Sequence, residues 1–281
     1  MTAAKAAQGP PGKRHRAGPA ARRPARFVAG PAGREGEGAA GPPPAVDAAT
    51  VRLVHRRLAR RFGPLDPPVR RDPVEELVLT VLSQNTSDVN RDRAFAAMRE
   101  RWPTWEALAA ASEVDLAAAI KPGGLSNIKA PRILSILAEI RSREGGSFDL
   151  AWMARARPER VRDYLMSLPG VGPKTAACVL AFSLGRPALP VDTHVFRVAR
   201  RLGFYGERTD AAAAHRVMEG LVPARLRVRM HVGLIRLGRE LCRPGRPRCE
   251  ACPLRDLCPT APSFLGDGTP ESPRPPARRP P

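Results

Sequence analysis

The sequence predicts an all-α fold, and three observations support that prediction. Apolar residues recur at three- and four-residue spacing through the middle of the chain, which is the period of an amphipathic helix. Proline, glycine and aspartate stand at the ends of these stretches, where helices start and stop. Alternating apolar and polar residues, the pattern of a half-buried strand, hardly occur. We therefore expect helices joined by short turns.

The helices can be placed in chain order. Thr50 precedes the first, at 51–62, while Asp72 and Pro73 combine an N-cap with a first-turn proline and open a second, which ends at Leu82. Short turns containing Gly, Pro or Asp separate the helices that follow. Those helices are predicted at 88–101, 113–120, 130–143, 158–168, 174–183, 194–202, 210–221 and 225–242.

The two ends of the chain differ from this region in composition. Residues 1–48 are mostly Ala, Gly, Pro and Arg, with almost no large apolar side chains, and residues 263–281 are rich in proline. Such segments bury too little apolar surface to offset the entropy lost on folding. We expect a disordered basic arm at 1–48 and a disordered tail at 263–281.

The net charge indicates a polyanionic partner. The chain carries +20, of which residues 1–48 contribute +5 and residues 263–281 contribute +1, so the middle region holds +14. Nucleic acid is the commonest partner of so basic a surface, although a GC-rich genome also favours arginine. No apolar run approaches the ~20 residues that span a bilayer, and no apolar segment follows the basic amino terminus. A protein of the bacterial cytosol and nucleoid is expected, without a membrane partner.

Residues 168–176 read LPGVGPKTA and lie between two predicted helices. Gly170 and Gly172 lack side chains and can take positive φ, so backbone N–H groups there can approach a DNA phosphate at the start of the next helix. With Leu168 and Pro169 before it and Lys174 to Ala177 after it, this segment resembles the hairpin of the helix-hairpin-helix DNA glycosylases. The endonuclease III family is the most similar.

That resemblance implies that Lys174 is a nucleophile. A helix N-terminus disfavours a protonated amine, and a neutral amine can attack C1′ of a damaged nucleoside. Expulsion of the base leaves a Schiff base, and loss of the C2′ proton then nicks the strand by β-elimination. A lysine that only contacts phosphate is the alternative on the hairpin alone.

Residues 191–198 read VDTHVFRV and resemble the second catalytic block of the family. Asp192 matches the catalytic aspartate, which can stabilise positive charge at C1′, assist proton transfer or orient water. An N-cap of the following helix is the other role open to Asp192, and the two are compatible. For His194 we expect local packing or hydrogen bonding.

Four cysteines, Cys242, Cys249, Cys252 and Cys258, follow a C-x6-C-x2-C-x5-C pattern. So crowded a spacing indicates metal ligands, and zinc is open at this point, although zinc sites favour paired C-x2-C units. The pattern resembles the [4Fe–4S] loop of the family at all four positions, which implies that cofactor. Arg243, Arg246, Arg248 and Arg255 would then face the DNA backbone. Cys178 is expected to be an ordinary buried thiol.

Two loops resemble the segments with which the family fills the gap left by a flipped nucleotide. Leu125, in GGLSNIKA at 123–130, would enter the base stack, unless it only packs the turn. Asn85, in LSQNTSD at 82–88, stands where the best-known bacterial members have Gln. That shorter amide leaves the opposite-base preference and damage spectrum open.

Over residues 50–259 the resemblance implies two helical domains with a cleft between them. One is a helical barrel at 67–186 and the other, the cluster domain, joins 49–66 to 187–262. The implied activity is a monomeric glycosylase and abasic-site lyase for oxidised pyrimidines in double-stranded DNA. A monofunctional mismatch or damaged-base glycosylase and a non-catalytic iron–sulfur DNA-binding module are the alternatives, and Lys174 argues against both.

Overall fold

A computed structural model describes residues 46–67 and 70–265, and the regular structure within those ranges is entirely helical. The predicted all-α fold is confirmed. Most of the predicted arm and the tail beyond Leu265 lie outside the described residues. The helices, in chain order, are α1 Ala48–Phe62, α2 Pro73–Leu82, α3 Asp88–Arg101, α4 Trp105–Ala109, α5 Glu113–Ala119, α6 Ser126–Arg143, α7 Pro158–Met166, α8 Pro173–Cys178, α9 Thr193–Arg201, α10 Ala211–Leu221, α11 Arg227–Glu240 and α12 Pro262–Leu265.

Polar side chains at the N-caps explain where many of these helices begin. Asp47 accepts a hydrogen bond from the backbone N–H of Thr50, so α1 starts before the predicted residue 51, and α12 includes residues 263–265, which were assigned to the tail. Thr104 caps α4, a five-residue helix that the sequence pattern did not predict. Helix α6 begins at Ser126 rather than at residue 130. The differences at α1 and α4 are local, because a cap needs only a side-chain oxygen and a free backbone N–H, whereas α6 begins after Leu125 without a side-chain cap.

Buried apolar side chains form two clusters, whose boundary along the chain falls between Ala188 and Leu189. The first cluster draws on α2 to α8 and ends with Ala188. The second joins α1 to α9, α10 and α11 and includes Leu254 near the cysteines. Contacts nevertheless place both clusters in one compact unit, so the division into two domains stays a prediction.

Helix α8 continues as a π-helical turn, Val179–Ser183, all five residues of which are buried. Such turns are rare and are often found at functional sites. None of the helices in the described part of the chain combines the length and apolar character needed to cross a membrane.

Candidate active site and cysteine loop

The hairpin between α7 and α8 places its two glycines in different conformations. Gly170 has φ of 69°, and a Cβ there would lie 2.8 Å from Nε of Arg132. Gly172 has φ of −104°, which any residue can adopt, and a Cβ there would meet nothing within 4 Å. Only the first glycine therefore needs its conformational freedom. The second is the N-cap of α8 and provides no side chain to bond the first N–H groups of that helix, which favours an anion there.

Lys174 is the second residue of α8 and is half-buried. Its charge acts on Glu76 of α2, on Cys178 one turn further along α8 and on His231 of α11. These three residues lie on helices that contribute to both apolar clusters.

Asp192 caps α9, and its Oδ1 accepts a hydrogen bond from the backbone N–H of Val195 at 2.8 Å. The N-cap role open to this residue is thus observed. His194 lies 3.3 Å from Nη2 of Arg197, through its Nδ1. This is the local hydrogen bonding expected of that histidine.

His231 connects the surroundings of Lys174 and Asp192. The ring is 4% exposed, and burial lowers its pKa to about 4; Asp192 raises that pKa and Lys174 lowers it. Its Nδ1 donates to the carbonyl oxygen of Pro190 at 2.7 Å, which fixes the proton on that nitrogen. Both charges therefore act on one buried neutral imidazole.

Residues 187–192 form a segment that ends at Asp192, and we call it the strap. Side chains of α10 and α11 bond to its backbone. Arg227 of α11 donates to the carbonyl oxygen of Pro187 at 2.9 Å, and the Glu219 carboxylate of α10 accepts from the backbone N–H of Leu189 at 3.3 Å. His231 adds the bond to Pro190. The strap that carries Asp192 is thus fixed to the second apolar cluster by two helices.

The two segments predicted to enter the base stack share an unusual backbone. Asn85 and Leu125 are the two non-glycine residues with positive φ in the described part of the chain, at 51° and 50°. That conformation costs an ordinary residue roughly 1–2 kcal/mol. Leu125 is also 48% exposed, although it is apolar. Exposure at both loop tips, together with backbone strain at Leu125, is typical of residues held out for a partner rather than packed in a turn.

Lys129 and Arg132 of α6 link these loops to each other and to the hairpin. Lys129 is 2% exposed, and its Nζ donates to the carbonyl oxygens of Leu82 at 2.7 Å and Gly123 at 2.8 Å. Arg132 donates to Oε1 of Gln84 at 3.0 Å and lies against Gly170. Three loops separated in sequence are therefore connected through one helix.

The four cysteines of the C-terminal loop line one cavity of about 30 Å³. A single water needs roughly 10–15 Å³ of such space, so the cavity has room for more than one atom. Burial raises the pKa of Cys249, Cys252 and Cys258, and the neighbouring thiols of the quartet raise each pKa further. Among the described residues, no three His, Cys, Asp or Glu side chains form a ready group of ligands for a metal ion.

Arginines from α1 and α9 hold this loop in place. Arg201 donates to Sγ of Cys242 at 3.3 Å and to the carbonyl oxygens of Arg243 at 2.8 Å and Pro244 at 2.7 Å. Arg57 forms a two-point ion pair with Asp256. These bonds leave four exposed arginines on the loop, at positions 243, 246, 248 and 255.

Comparison with known proteins places this geometry in a family. The model of the HhH-GPD superfamily base excision DNA repair proteins matches residues 78–224. Endonuclease III of Thermotoga maritima is 36% identical over 187 residues, which are 66% of this chain and 83% of that protein. The chain belongs to the endonuclease III family. It is an enzyme of the DNA glycosylase and abasic-site lyase class, as the resemblance predicted.

Solved structures of similar proteins agree with the fold. A trapped covalent intermediate of endonuclease III with DNA has a TM-score of 0.68 and 29% identity, covering 77% of this chain and 98% of that one. A thermostable thymine-DNA glycosylase has a TM-score of 0.62 and 25% identity, covering 76% and 95%. A putative DNA glycosylase of Arabidopsis thaliana is 36% identical over 154 residues, and the match spans about half of that protein, 52%.

Sequence reasoning missed several groups in this endonuclease III family chain. Lys129, His231 and Glu76 are buried, although a polar residue type by itself gives no reason to expect burial. The only available signal was that each stands among apolar residues at helical spacing, which indicates an inward face.

Proposed function

We propose that this chain is a bifunctional glycosylase and abasic-site lyase of base excision repair that removes oxidised pyrimidines from double-stranded DNA. The observation that carries the proposal is the position of Lys174. It lies in the first turn of α8, directly after the hairpin, and its charge and that of Asp192 both act on His231. The trapped covalent complex of a similar endonuclease III with DNA supports a covalent mechanism here.

In this mechanism the Lys174 amine attacks C1′, and the bond from C1′ to the base breaks with its electron pair leaving on the base. Opening of the sugar ring gives a Schiff base between Lys174 and the sugar. Removal of the C2′ proton then expels the 3′ phosphate by β-elimination. Asp192 stabilises the positive charge at C1′ or assists the proton transfers. Its N-cap bond to Val195 holds the carboxylate in a fixed position for either role.

DNA binding uses the hairpin and the two strained loops. The backbone N–H groups near Gly170 and Gly172 would bind a phosphate, while Leu125 and Asn85 would fill the space left by the flipped nucleotide. The exposure of Leu125 and the positive φ of both loop residues support this assignment. The exposed arginines of the cysteine loop would add phosphate contacts.

We further propose that Cys242, Cys249, Cys252 and Cys258 hold a [4Fe–4S] cluster. Four cysteine thiols surround one cavity, and three of them have a raised pKa. Neighbouring thiolates would repel one another unless a cation offset their charge. The cluster would fix the loop and its arginines, with no part in bond breaking. Protein with about four iron atoms per chain is expected. Stoichiometric zinc without iron would overturn the assignment.

We also infer a monomer that works on chromosomal DNA in the cytosol, with the barrel at 67–186 and the cluster domain either side of the cleft. The two apolar clusters that meet between Ala188 and Leu189 support that division. Sedimentation with and without duplex DNA tests the monomer, for which one chain per bound duplex is expected.

Borohydride trapping on duplex DNA with an abasic site tests the central proposal. The described residues include three lysines, of which Lys174 is the proposed nucleophile. The other two lie elsewhere: Lys129 is bound to two carbonyl oxygens, and Lys121 is exposed in a short 3₁₀ turn. Lys174→Ala should abolish the trapped adduct and the nick, whereas Lys121→Ala should keep both. An intact Lys174→Ala protein that still traps and nicks would disprove the mechanism.

A substrate panel separates the proposed activity from the monofunctional alternative. Duplexes with thymine glycol, 5-hydroxycytosine, uracil, T·G and A·G are incubated with protein, with and without alkali after the reaction. The proposal expects oxidised pyrimidines to be cut without alkali. Cleavage of mismatches alone, and only after alkali, would favour a monofunctional mismatch glycosylase.

A further inference from the structure

Exposed apolar side chains gather around the hairpin and the two strained loops. Seven large apolar side chains are exposed among the described residues, and single ones are ordinary on a protein surface. Four of the seven, however, lie at the ends of the helices that border these loops. They are Val89 at the start of α3, Leu125 and Ile128 at the start of α6, and Met166 at the end of α7. Their placement is therefore the informative feature.

Ile128 shares its turn with Leu125. It is 55% exposed, more than Leu125 at 48%, and its backbone N–H donates to the Leu125 carbonyl oxygen at 3.0 Å. The next residue, Lys129, is 2% exposed, and its Nζ bonds to the carbonyl oxygens of Leu82 and Gly123 fix the inner side of this turn. The turn that opens α6 is thus held from inside by a buried ammonium and presents two apolar side chains to solvent.

The same helix joins Ile128 to the segment expected to bind a phosphate. Arg132, one turn further along α6, donates to Oε1 of Gln84 and lies against Gly170 of the hairpin. Lys121, exposed in the preceding 3₁₀ turn, adds positive charge to this part of the chain. Apolar side chains among cations fit DNA better than a second protein, because apolar wedges enter between base steps while the cations bind phosphates.

We propose that Ile128 is a second DNA-contacting residue, which packs against the unstacked bases beside the flipped nucleotide. The inference rests on the proposed function and extends its DNA contact beyond Leu125. Flipping uncovers the apolar faces of the neighbouring bases, and an isoleucine that covers them stabilises the opened duplex. In an intact duplex stacking covers those faces, so binding there depends on phosphate contacts. Ile128 therefore contributes to the preference for opened over intact DNA.

The test compares affinities for two duplexes of one sequence. One is intact, and the other carries tetrahydrofuran in place of an abasic sugar, an analogue that cannot form a Schiff base. Ile128→Ser removes the apolar contact, whereas Ile128→Leu keeps it. The matched control is Val114→Ser, which changes a 79% exposed valine on α5, outside the turns that border the loops.

For Ile128→Ser we expect about tenfold weaker binding to the tetrahydrofuran duplex, because an apolar side chain then leaves the interface. Affinity for the intact duplex should stay within about twofold, since phosphate contacts are unchanged. Ile128→Leu and Val114→Ser should stay within about threefold of the unaltered protein on both duplexes. The midpoint of urea unfolding should not move in Ile128→Ser, because the side chain is exposed.

A fluorescent base reports the contact directly. With 2-aminopurine opposite the tetrahydrofuran, unstacking by the protein raises the fluorescence, and saturating Ile128→Ser should raise it less than the unaltered protein does. A role of Ile128 in folding alone would not change this signal at saturation.

The proposal is overturned if Ile128→Ser binds the tetrahydrofuran duplex as tightly as the unaltered protein, the result expected if a second copy or another protein covers Ile128. Equal losses on the two duplexes would also overturn it. A preference for the tetrahydrofuran duplex that depends on Leu125, tested with Leu125→Ala, but not on Ile128 would contradict this inference alone. An unaltered protein without that preference would contradict the proposed function as well.

Discussion

The loops around the hairpin and the loop that carries the four cysteines are held by different kinds of interaction. Lys129 and Arg132 hold the first group through bonds from one helix to backbone and side-chain oxygens. Arginines of α1 and α9 hold the edges of the cysteine loop, while its interior is a cavity lined by thiols. The hairpin side is therefore held by protein groups alone, whereas under the proposed [4Fe–4S] assignment the cysteine side depends on what its thiols bind.

Substitution of one cysteine should give the largest difference in stability between the two regions. Cys252→Ser removes a proposed ligand from the cavity, and we expect loss of iron and a destabilisation of more than about 4 kcal/mol. Hydrogen exchange measures the effect by region. Amides of residues 242–258 should exchange faster, and those of 168–178 should keep their protection.

Cys178→Ala is the control for that experiment, because it removes a thiol from the first apolar cluster. Its iron content should equal that of the unaltered protein. If Cys252→Ser retains its iron and its exchange pattern, the cysteine loop does not depend on a bound cluster.

The hairpin side should depend instead on Lys129. Lys129→Met removes a buried ammonium and leaves the carbonyl oxygens of Leu82 and Gly123 without this partner. Each unpaired buried carbonyl costs about 1–3 kcal/mol, so we expect a net loss of about 3 kcal/mol in the free energy of unfolding by urea. Iron content should not change. The exposed Lys121→Met should stay within about 0.5 kcal/mol of the unaltered protein, and an equal stability for Lys129→Met would show that the loops are held by other contacts.

His231 packs between Phe182 of the π-helical turn and the strap, and its titration should affect the stability of the fold. The pKa is about 4 in the folded protein against 6.5 for an ordinary histidine, mainly because of burial. Between these two pH values the unfolded chain binds more protons, so stability falls as pH drops from about 6.5 to about 4 and the loss then levels off. The shift corresponds to roughly 3 kcal/mol.

His231→Gln should flatten that part of the stability curve relative to the unaltered protein, measured by urea unfolding at half-unit pH steps. Some pH dependence will remain, because burial also lowers the pKa of His215 and His55. Identical curves for the two proteins would exclude His231 as the titrating group.

The sequence predicted those parts of the molecule that depend on neighbouring residues. N-caps such as Asp72 and Asp192 bond within three residues of themselves, so local sequence was sufficient to place them. The start of α6 was placed too late because its N-cap residue, Leu125, has a left-handed backbone and no capping side chain. A leucine at this position gives no sign of a helix start. Lys129 lies 47 residues from its partner Leu82, and His231 lies 41 residues from its partner Pro190. Such contacts arise from packing between helices, which a local pattern does not contain.

The two hairpin glycines provide the finest test, because their conformations differ. Gly170→Ala places a Cβ at φ of 69° and 2.8 Å from the flexible Arg132 side chain, so we expect a destabilisation of about 1–2 kcal/mol. Gly172→Ala has φ of −104° and an open site for Cβ, so only the poorer N-cap preference of alanine counts against it and we expect a smaller loss, of about 0.5–1 kcal/mol. Its added methyl group would nevertheless stand where a phosphate must approach. We therefore expect Gly172→Ala to fold normally. It should bind more weakly to a DNA duplex in which tetrahydrofuran replaces the abasic sugar, an analogue that cannot form a Schiff base. Unchanged affinity in that variant would place the phosphate elsewhere than at the start of α8.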